Sequence, residues 1–283
     1  MGFSYSKKTI RVTITLSTGN QFVFEGYAIN ATINKTGGVE FAQANVEIFG
    51  LSIDTMAALT WIQFKPNGRP WNALSIEAGE AGTALSTVFL GEIQHCYADL
   101  NGAKPVLKIQ ALTGSYPVLI PQSPTAVNGQ QKVADFCEAV CKEIGYKFKN
   151  AGVETQISDC VINGDPITKI RAVANAAGAD TVIEDGQITI VPRGKTVPAE
   201  GSIPVISAET GMIGYPTFTT KGIQAQTYFL PTLHMASAVQ IKSIVPSASG
   251  VWKITQLTHE LSANNPSNGV WRTSFQAMWI SDD

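Results

Sequence analysis

The chain has 283 residues, 44% of them hydrophobic and only 15% charged, with a formal net charge of −2. Ordinary soluble proteins carry about 25% charged residues, so this surface is built from Thr, Ser, Asn, Gln and Gly more than from ions, as in β-rich proteins and in proteins that hide surface against partners. No segment concentrates lysine and arginine, which excludes gripping duplex nucleic acid by counterion release as the main task while leaving room for passing contact with a polyanion.

The length suits roughly two domains at about 100–200 residues each. At the N-terminus, Lys7, Lys8 and Arg11 lead into alternation, with no apolar core of signal-peptide length. No window approaches the ~18 apolar residues of a membrane span, and the expectation is a soluble protein made in the cytoplasm. Residues 8–16 alternate strictly, with Ile10, Val12, Ile14 and Leu16 on one face: a half-buried strand. The pattern resumes over 21–35 with Phe22, Phe24, Ala31 and Ile33, and again over 44–50. Residues 51–60 change period, and Ser52 is placed to cap a short helix with Ile53, Met56 and Leu59 on one face. Strand patterns return over 72–79, 85–94 and 104–112. Such a run of short strands reads as an antiparallel sheet curled into a barrel or sandwich.

The Pro-rich stretch 115–129 marks a boundary. Val133, Phe136, Cys137, Val140, Cys141 and Ile144 then follow at helical spacing, with Gly145 as C-cap. A strand at 146–152 and a link through Ile157 lead to a second helix, where Asp165 is the N-cap, Pro166 the first helical residue and Gly178 the stop. Residues 180–193 read as a hairpin around Asp185-Gly186, with Glu184 and Asp185 solvated at its tip. After a linker at 194–205, strand patterns fill 216–229, 238–245, 250–262 and 269–279. The expected fold is mainly β with an α/β insert: β-barrel domains at 1–116 and 199–283 flanking an insert at 117–198.

Chemistry is hard to find. Cys96, Cys137, Cys141 and Cys160 form no CxxC pair and read as small buried hydrophobes, reduced inside a cell. His95, His234 and His259 sit in no HExxH motif, and Glu260 beside His259 points to the opposite face of a strand. Neither 79–85 nor 210–214 matches a phosphate-binding fingerprint. Trp252, Trp271 and Trp279 fall on strands, where core or interface packing is the default. The expectation is no enzyme, no metal and no cofactor.

The stretch "GMIGYPTFTTKGIQAQTYFLPTLHMASAVQIKS" followed by "GVWKITQLTHELSANNPSNGVWRTSFQA" resembles the C-terminal part of tailed-phage baseplate hub proteins of the contractile-tail class. The matching positions are Tyr215, Pro216, Gly222, Phe229, Pro231, Leu233, Val239, Ile241, Ser243, Trp252, Ile254, His259, Gly269, Trp271 and Thr273, and it is their order that carries the likeness. "NVEIFGLSIDTMAALT" is similar to a step in that family's first barrel, and 133–148 and 165–194 look like its helix-rich insert. One departure is "HMASAV", where a Gly is expected before the strand.

The resemblance implies two tube-type β-barrels per chain and a homotrimeric ring of pseudo-sixfold symmetry. That ring would sit in the virion baseplate between the tail tube or its initiator proteins and the central spike, beside wedge or peripheral proteins, and be assembled in the host cytoplasm. Its lumen would pass the tape-measure protein and then DNA. In 218–226, Phe218, Ile223 and Ala225 would bury, with a register step at Gly222, while Thr219, Gln224 and Gln226 face the lumen or a neighbour; an ordinary sandwich strand is the other reading. Tyr215, Pro216, Phe218, Thr219, Gln224, Gln226, Phe229, Pro231, His259 and Trp271 are the expected oligomer or partner contacts. The competing classes are a tail-associated cell-wall hydrolase and a carbohydrate-binding β-protein.

Overall fold

Period-two alternation becomes strand along the whole first third of the chain. The computed structural model describes residues 7–37, 41–62, 72–118, 122–199, 201–265 and 269–280. The first module comprises β1 (Lys8–Thr15), β2 (Gln21–Glu25), β3 (Ala28–Thr36), β4 (Gln43–Phe49), α1 (Ile53–Leu59), β5 (Trp61–Ile62), β6 (Ala73–Glu80), β7 (Ser86–Asp99) and β8 (Val106–Leu112). Ile10, Val12 and Ile14 of β1 are buried, as their alternation requires. The Ser52 hydroxyl accepts from the Thr55 N–H and caps α1, burying Met56 and Leu59. Ile53, expected on that same face, is 63% exposed: the seven-residue helix is too short for its first turn to reach the core.

The insert follows as α2 (Ser115–Val118), β9 (Thr125–Lys132), α3 (Val133–Glu143), β10 (Lys147–Asn150), β11 (Gln156–Ile162), α4 (Pro166–Ala176), β12 (Ala179–Glu184) and β13 (Gln187–Pro192). β10 runs parallel to β13, and β13 antiparallel to β12. β9 and β11 pair in a separate two-stranded ribbon. The expected link through Ile157 is therefore a strand, hidden in the sequence because a bulge breaks its alternation: Asp159 sits in the bulge at φ 45° and accepts the Gly129 N–H. Val133, Phe136, Ile170 and Ile188 belong to a core that is the insert's own.

The last module contains β14 (Val205–Ile206), β15 (Met212–Thr219), β16 (Gly222–Tyr228), β17 (Ala238–Ile241), β18 (Gly250–Ala263) and β19 (Trp271–Trp279). The expected single strand over 216–229 is a hairpin: Thr219 pairs with Gly222, and the chain reverses between them. Gly222 has a φ of 146°, and a Cβ there would collide with the Ala277 carbonyl oxygen, so the close approach of β19 requires glycine. Gly222 thus begins β16; it is not a register step. Pro216 is buried within the bulge between Ile213 and Thr217 of β15, an edge strand, where a missing N–H costs no ladder bond.

The two β modules do not stand apart. One 14-stranded sheet has eleven strands in the path β15-β16-β19-β18-β3-β4-β8-β7-β6-β1-β2, with β17 and β14 branching from β18 and β5 pairing β7. Its seam is the antiparallel pairing of β18 with β3, from Gln256 opposite Thr36 to Ala263 opposite Ile29. β18 serves two cores: Trp252, Ile254 and Leu257 pack with Ile223 and Phe275, whereas Leu261 and Ala263 pack with Ile29 and Val46. The path ends at β15 and β2, and no described strand pair joins these ends. Among the described residues, no helix is long and apolar enough to cross a membrane.

Candidate functional site

A sheet that buries one face must dispose of the other. Cross-strand registers show what lies on that other face. Gln224 of β16 stands opposite Gln276 of β19, which stands opposite Gln256 of β18, which stands opposite Thr36 of β3. The next row reads Gln226, Ser274, Thr258, Asn34 and Gln43, with the Thr258 hydroxyl donating to Asn34 Oδ1 at 3.0 Å. A third runs Tyr228, Arg272, Glu260, Thr32, Asn45 and Gln110. Directly opposed residues share a face, so amides and hydroxyls predominate on this surface from β16 to β4, broken by the Arg272–Glu260 pair in the third row and by Leu112 of β8, which stands opposite Gln43. Its charges come in opposed sets: Arg272 Nε with Glu260 Oε2, and Lys108 with Asp99 at 2.8 Å, with Glu47 across from Lys108.

The residues expected to form contacts divide into surface and interior. Tyr215, Phe218, Thr219 and Gln224 are exposed, and Gln226 and Pro231 are half-buried. Phe218 pairs with Ile223 and so points to the inward face, as expected, yet it is 55% exposed because nothing flanks β15 on its outer side among the described residues. Phe229, His259 and Trp271 instead form an internal stack. The Phe229 ring meets His259 edge-on at 5.4 Å and Trp271 at 5.2 Å. His259 lies inside β18 (Gly250–Ala263) and is 1% exposed in the single chain. Burial drives the His259 pKa down to about 3, with Lys35 adding to the effect.

All four cysteines are free, and burial pushes the thiols of Cys96, Cys137 and Cys141 up to about 12. Among the described residues no group of three or more His, Cys, Asp or Glu side chains could hold a metal ion.

Where the insert meets the sheet there is a charged junction. Glu184 and Asp185 are not fully solvated, as a hairpin tip would suggest, but largely covered between modules, 13% and 19% exposed at their side chains. Lys35 Nζ of β3 lies 2.7 Å from both Glu184 Oε1 and Asp185 Oδ2. The Met235 N–H donates to Glu184 Oε2 at 3.3 Å, and the Leu90 N–H of β7 donates to Asp185 Oδ1 at 3.2 Å. His234 Nδ1 stands 3.5 Å from Glu184 Oε1. One two-residue turn thus ties the insert to both β modules. Burial disfavours the Glu184 carboxylate, but Lys35 and His234 outweigh it and hold the pKa down to about 2. For Asp185 burial wins, and its pKa is raised. Lys35 is desolvated, yet the two carboxylates raise its pKa, so it stays charged. A cleft of about 740 Å³ opens beside Glu184, Asp185 and His234, with Val197 and Pro204 also in its lining. The sequence carried one sign of this junction: Lys35 continues the buried parity of Ile29, Ala31 and Ile33.

The sequence matches the family model described as baseplate hub gp41 over residues 9–267. No curated protein matches it. Similar solved structures include the 43 kDa tail protein of prophage MuSo2 from Shewanella oneidensis (TM-score 0.64, 10% identity, 96% of this chain and 98% of that one). The tail protein from Neisseria meningitidis MC58 is comparable (TM-score 0.62, 11% identity, 95% and 96%). So is the E. coli c3393 protein, described as a type VI secretion component structurally similar to the T4 tail proteins gp27 and gp5 (TM-score 0.59, 10% identity, 90% and 74%). At these identities the likeness is one of fold.

Proposed function

The chain belongs to the baseplate hub gp41 family, a structural family, and from that premise we propose that three copies close a ring at the tail axis of a phage particle, in its baseplate. The ring joins the tail tube to the central spike, and its lumen passes the tape-measure protein and then DNA. Each chain supplies two tube-type units, so three chains present six-fold pseudosymmetry to the tube. Wedge or peripheral baseplate proteins adjoin it from outside. The role is masonry, and no reaction is assigned to it.

The observation that carries this reading is the face running from β16 to β8, rich in amides and hydroxyls, whose charges stand in opposed pairs. A channel wall that lets a polyanion slide must neither bind it through unpaired cations nor repel it through unpaired anions. Opposed charges and amides meet both conditions. In this reading Gln224 and Gln226 face the lumen. The open β15 edge, with Tyr215 and Phe218 exposed, meets the neighbouring copy, because a ring closes through head-to-tail contacts.

Light scattering of the purified chain and imaging of the assembled particle test the reading. A copy number divisible by three on the tail axis is expected; any other number, or a place off the axis, overturns it. A triple Gln224→Lys, Gln256→Lys, Asn34→Lys variant should acquire salt-sensitive DNA binding and slow DNA ejection. Incubation with purified peptidoglycan should release no fragments.

A further inference from the structure

We propose that the Glu184–Asp185 turn is a releasable latch: it holds the α/β insert against the β frame, and when the charges of the junction fall out of balance the insert undocks as a folded body while the frame stays intact.

Three features carry this. The insert packs its own core, from Val133 and Phe136 to Ile170 and Ile188, separate from the two cores of the sheet. Its ties to the frame are largely polar. Besides the junction they include Lys253 Nζ with Asp180 Oδ2 at 3.2 Å, and the Tyr146 hydroxyl donating to Glu92 Oε1 at 3.2 Å. Apolar contact across the boundary comes from few side chains, among them Phe41, Val182 and Ile183. A polar boundary between self-sufficient cores is where domains part.

The second feature is the all-or-none character of the tie. A buried ion cluster is strongly destabilising when one partner is lost, because the remaining charge stays buried without compensation. Neutralising Glu184 leaves Lys35, 3% exposed at its side chain, with Asp185 alone. Undocking lets Lys35 reach water, whereas a docked insert seals it in.

The third is access. The cleft reaches Glu184, Asp185 and His234 from solvent, and the His234 side chain is 53% exposed. The charged or titratable groups around the turn are Lys35 from β3, His234 from the loop after β16, His259 from β18 and Lys149 from β10 across the cleft. The hydrogen bond to Glu184 raises the His234 pKa above 6.5, against burial. Docking therefore gains from the protonated ring below 6.5 and loses that gain as pH rises through the raised value. Glu184 remains ionised throughout this window, its pKa being held at about 2. The latch tightens in mild acid and loosens in mild alkali.

Amide hydrogen exchange on the full chain, corrected for intrinsic rates, tests the latch. In Glu184→Gln, the amides of Leu90, Met235 and Val197, whose N–H groups bond across the boundary, should exchange about tenfold faster, the equivalent of one pKa unit of lost coupling, while β3, β13, β18, β19 and α3 keep their protection. The neutral Lys35→Met, Glu184→Gln, Asp185→Asn triple variant serves if the single variant does not fold. Its boundary protection should no longer change between about pH 6 and about pH 8, the range in which histidine titrates, whereas that of the wild type should fall. His234→Asn should abolish the same pH response. Loss spread evenly over frame and insert, an unchanged boundary in Glu184→Gln, or a pH response that survives in the triple variant would each overturn the latch.

Discussion

Ala236 occupies backbone that suits another residue. Its φ is 58°, left-handed, in the "HMASAV" turn where the family resemblance called for glycine. The departure was legible in sequence, but its consequence was not: the turn keeps the glycine conformation and alanine bears the strain. The neighbourhood enforces it, since the Ala236 N–H donates to the Ile254 carbonyl at 3.0 Å and its own carbonyl accepts from Val197 at 2.9 Å. Left-handed backbone costs an L-residue about 1–2 kcal/mol, part of which glycine returns through its freer unfolded chain. Ala236→Gly should thus stabilise the fold by about 1 kcal/mol in urea denaturation; a destabilised variant would show that the alanine methyl, 5% exposed, contributes more through packing. His259 makes the opposite point, a polar residue held in its neutral form. Thr273 Oγ1 accepts the Leu230 N–H at 3.3 Å and lies 2.9 Å from His259 Nδ1, which favours a hydroxyl donated to Nδ1 and a ring proton on Nε2. With the folded pKa near 3 and the usual value 6.5, the unfolded chain takes up the proton first as pH falls. Stability should therefore decline between about pH 6.5 and pH 3, by at most about 1.4 kcal/mol per pH unit from this group. The His259 ring C–H resonance should hold its neutral position throughout most of that range; a midpoint near 6.5 would contradict the burial argument.

At the scale of elements, capping and parity were the most legible signals. Asp165 was readable as an N-cap because Pro166 follows it and an apolar spacing begins at once, and its side chain does accept the Thr168 N–H at 3.0 Å. Asp165→Ala should cost about 1 kcal/mol, seen as a lower urea midpoint with an unchanged slope. Proline at the first helical position keeps α4 formed, so far-ultraviolet circular dichroism should be nearly unaltered. What the sequence concealed were elements defined by partners. β11 reads as a link through Ile157 because Ser158 and Asp159 interrupt its alternation, and its pairing with β9 makes it a strand. The β15–β16 turn reads as continued alternation, because "TTKG" supplies one glycine and no aspartate or asparagine to announce a hairpin. The junction was concealed for the same reason. Lys35, Glu184 and His234 are far apart in sequence, and charge at a hairpin tip ordinarily means solvent. The polar face is the intermediate case. Gln224 and Gln226 could be assigned a side from alternation alone, but their alignment with Gln276, Gln256 and Asn34 is a matter of register, which no single strand states.

For the molecule as a whole, the shared strand β18 is what unites the β modules, and it makes their stability common property. Sequence reading divides the chain at linkers, and from that view two barrels flank an insert. Hydrogen bonding divides it differently: β18 completes the core of the last module with its first half and that of the first module with its second. Leu257 sits at the crossover, 0% exposed, opposite Phe275 of β19 on one side and Lys35 of β3 on the other. Truncating it to alanine leaves a cavity on the inward face of the seam and should cost about 2–5 kcal/mol. If the modules were independent, the loss would fall on the last module alone, and β4 and β8 would keep their amide protection. If β18 couples them, exchange in β4, β8, β16 and β19 should accelerate together in Leu257→Ala, and thermal unfolding of the sheet should remain one transition at a lower midpoint. The insert, with its own core, should keep α3 and α4 protected through that transition. A baseplate hub gains rigidity from such coupling, because no single module can open without the strand that both require.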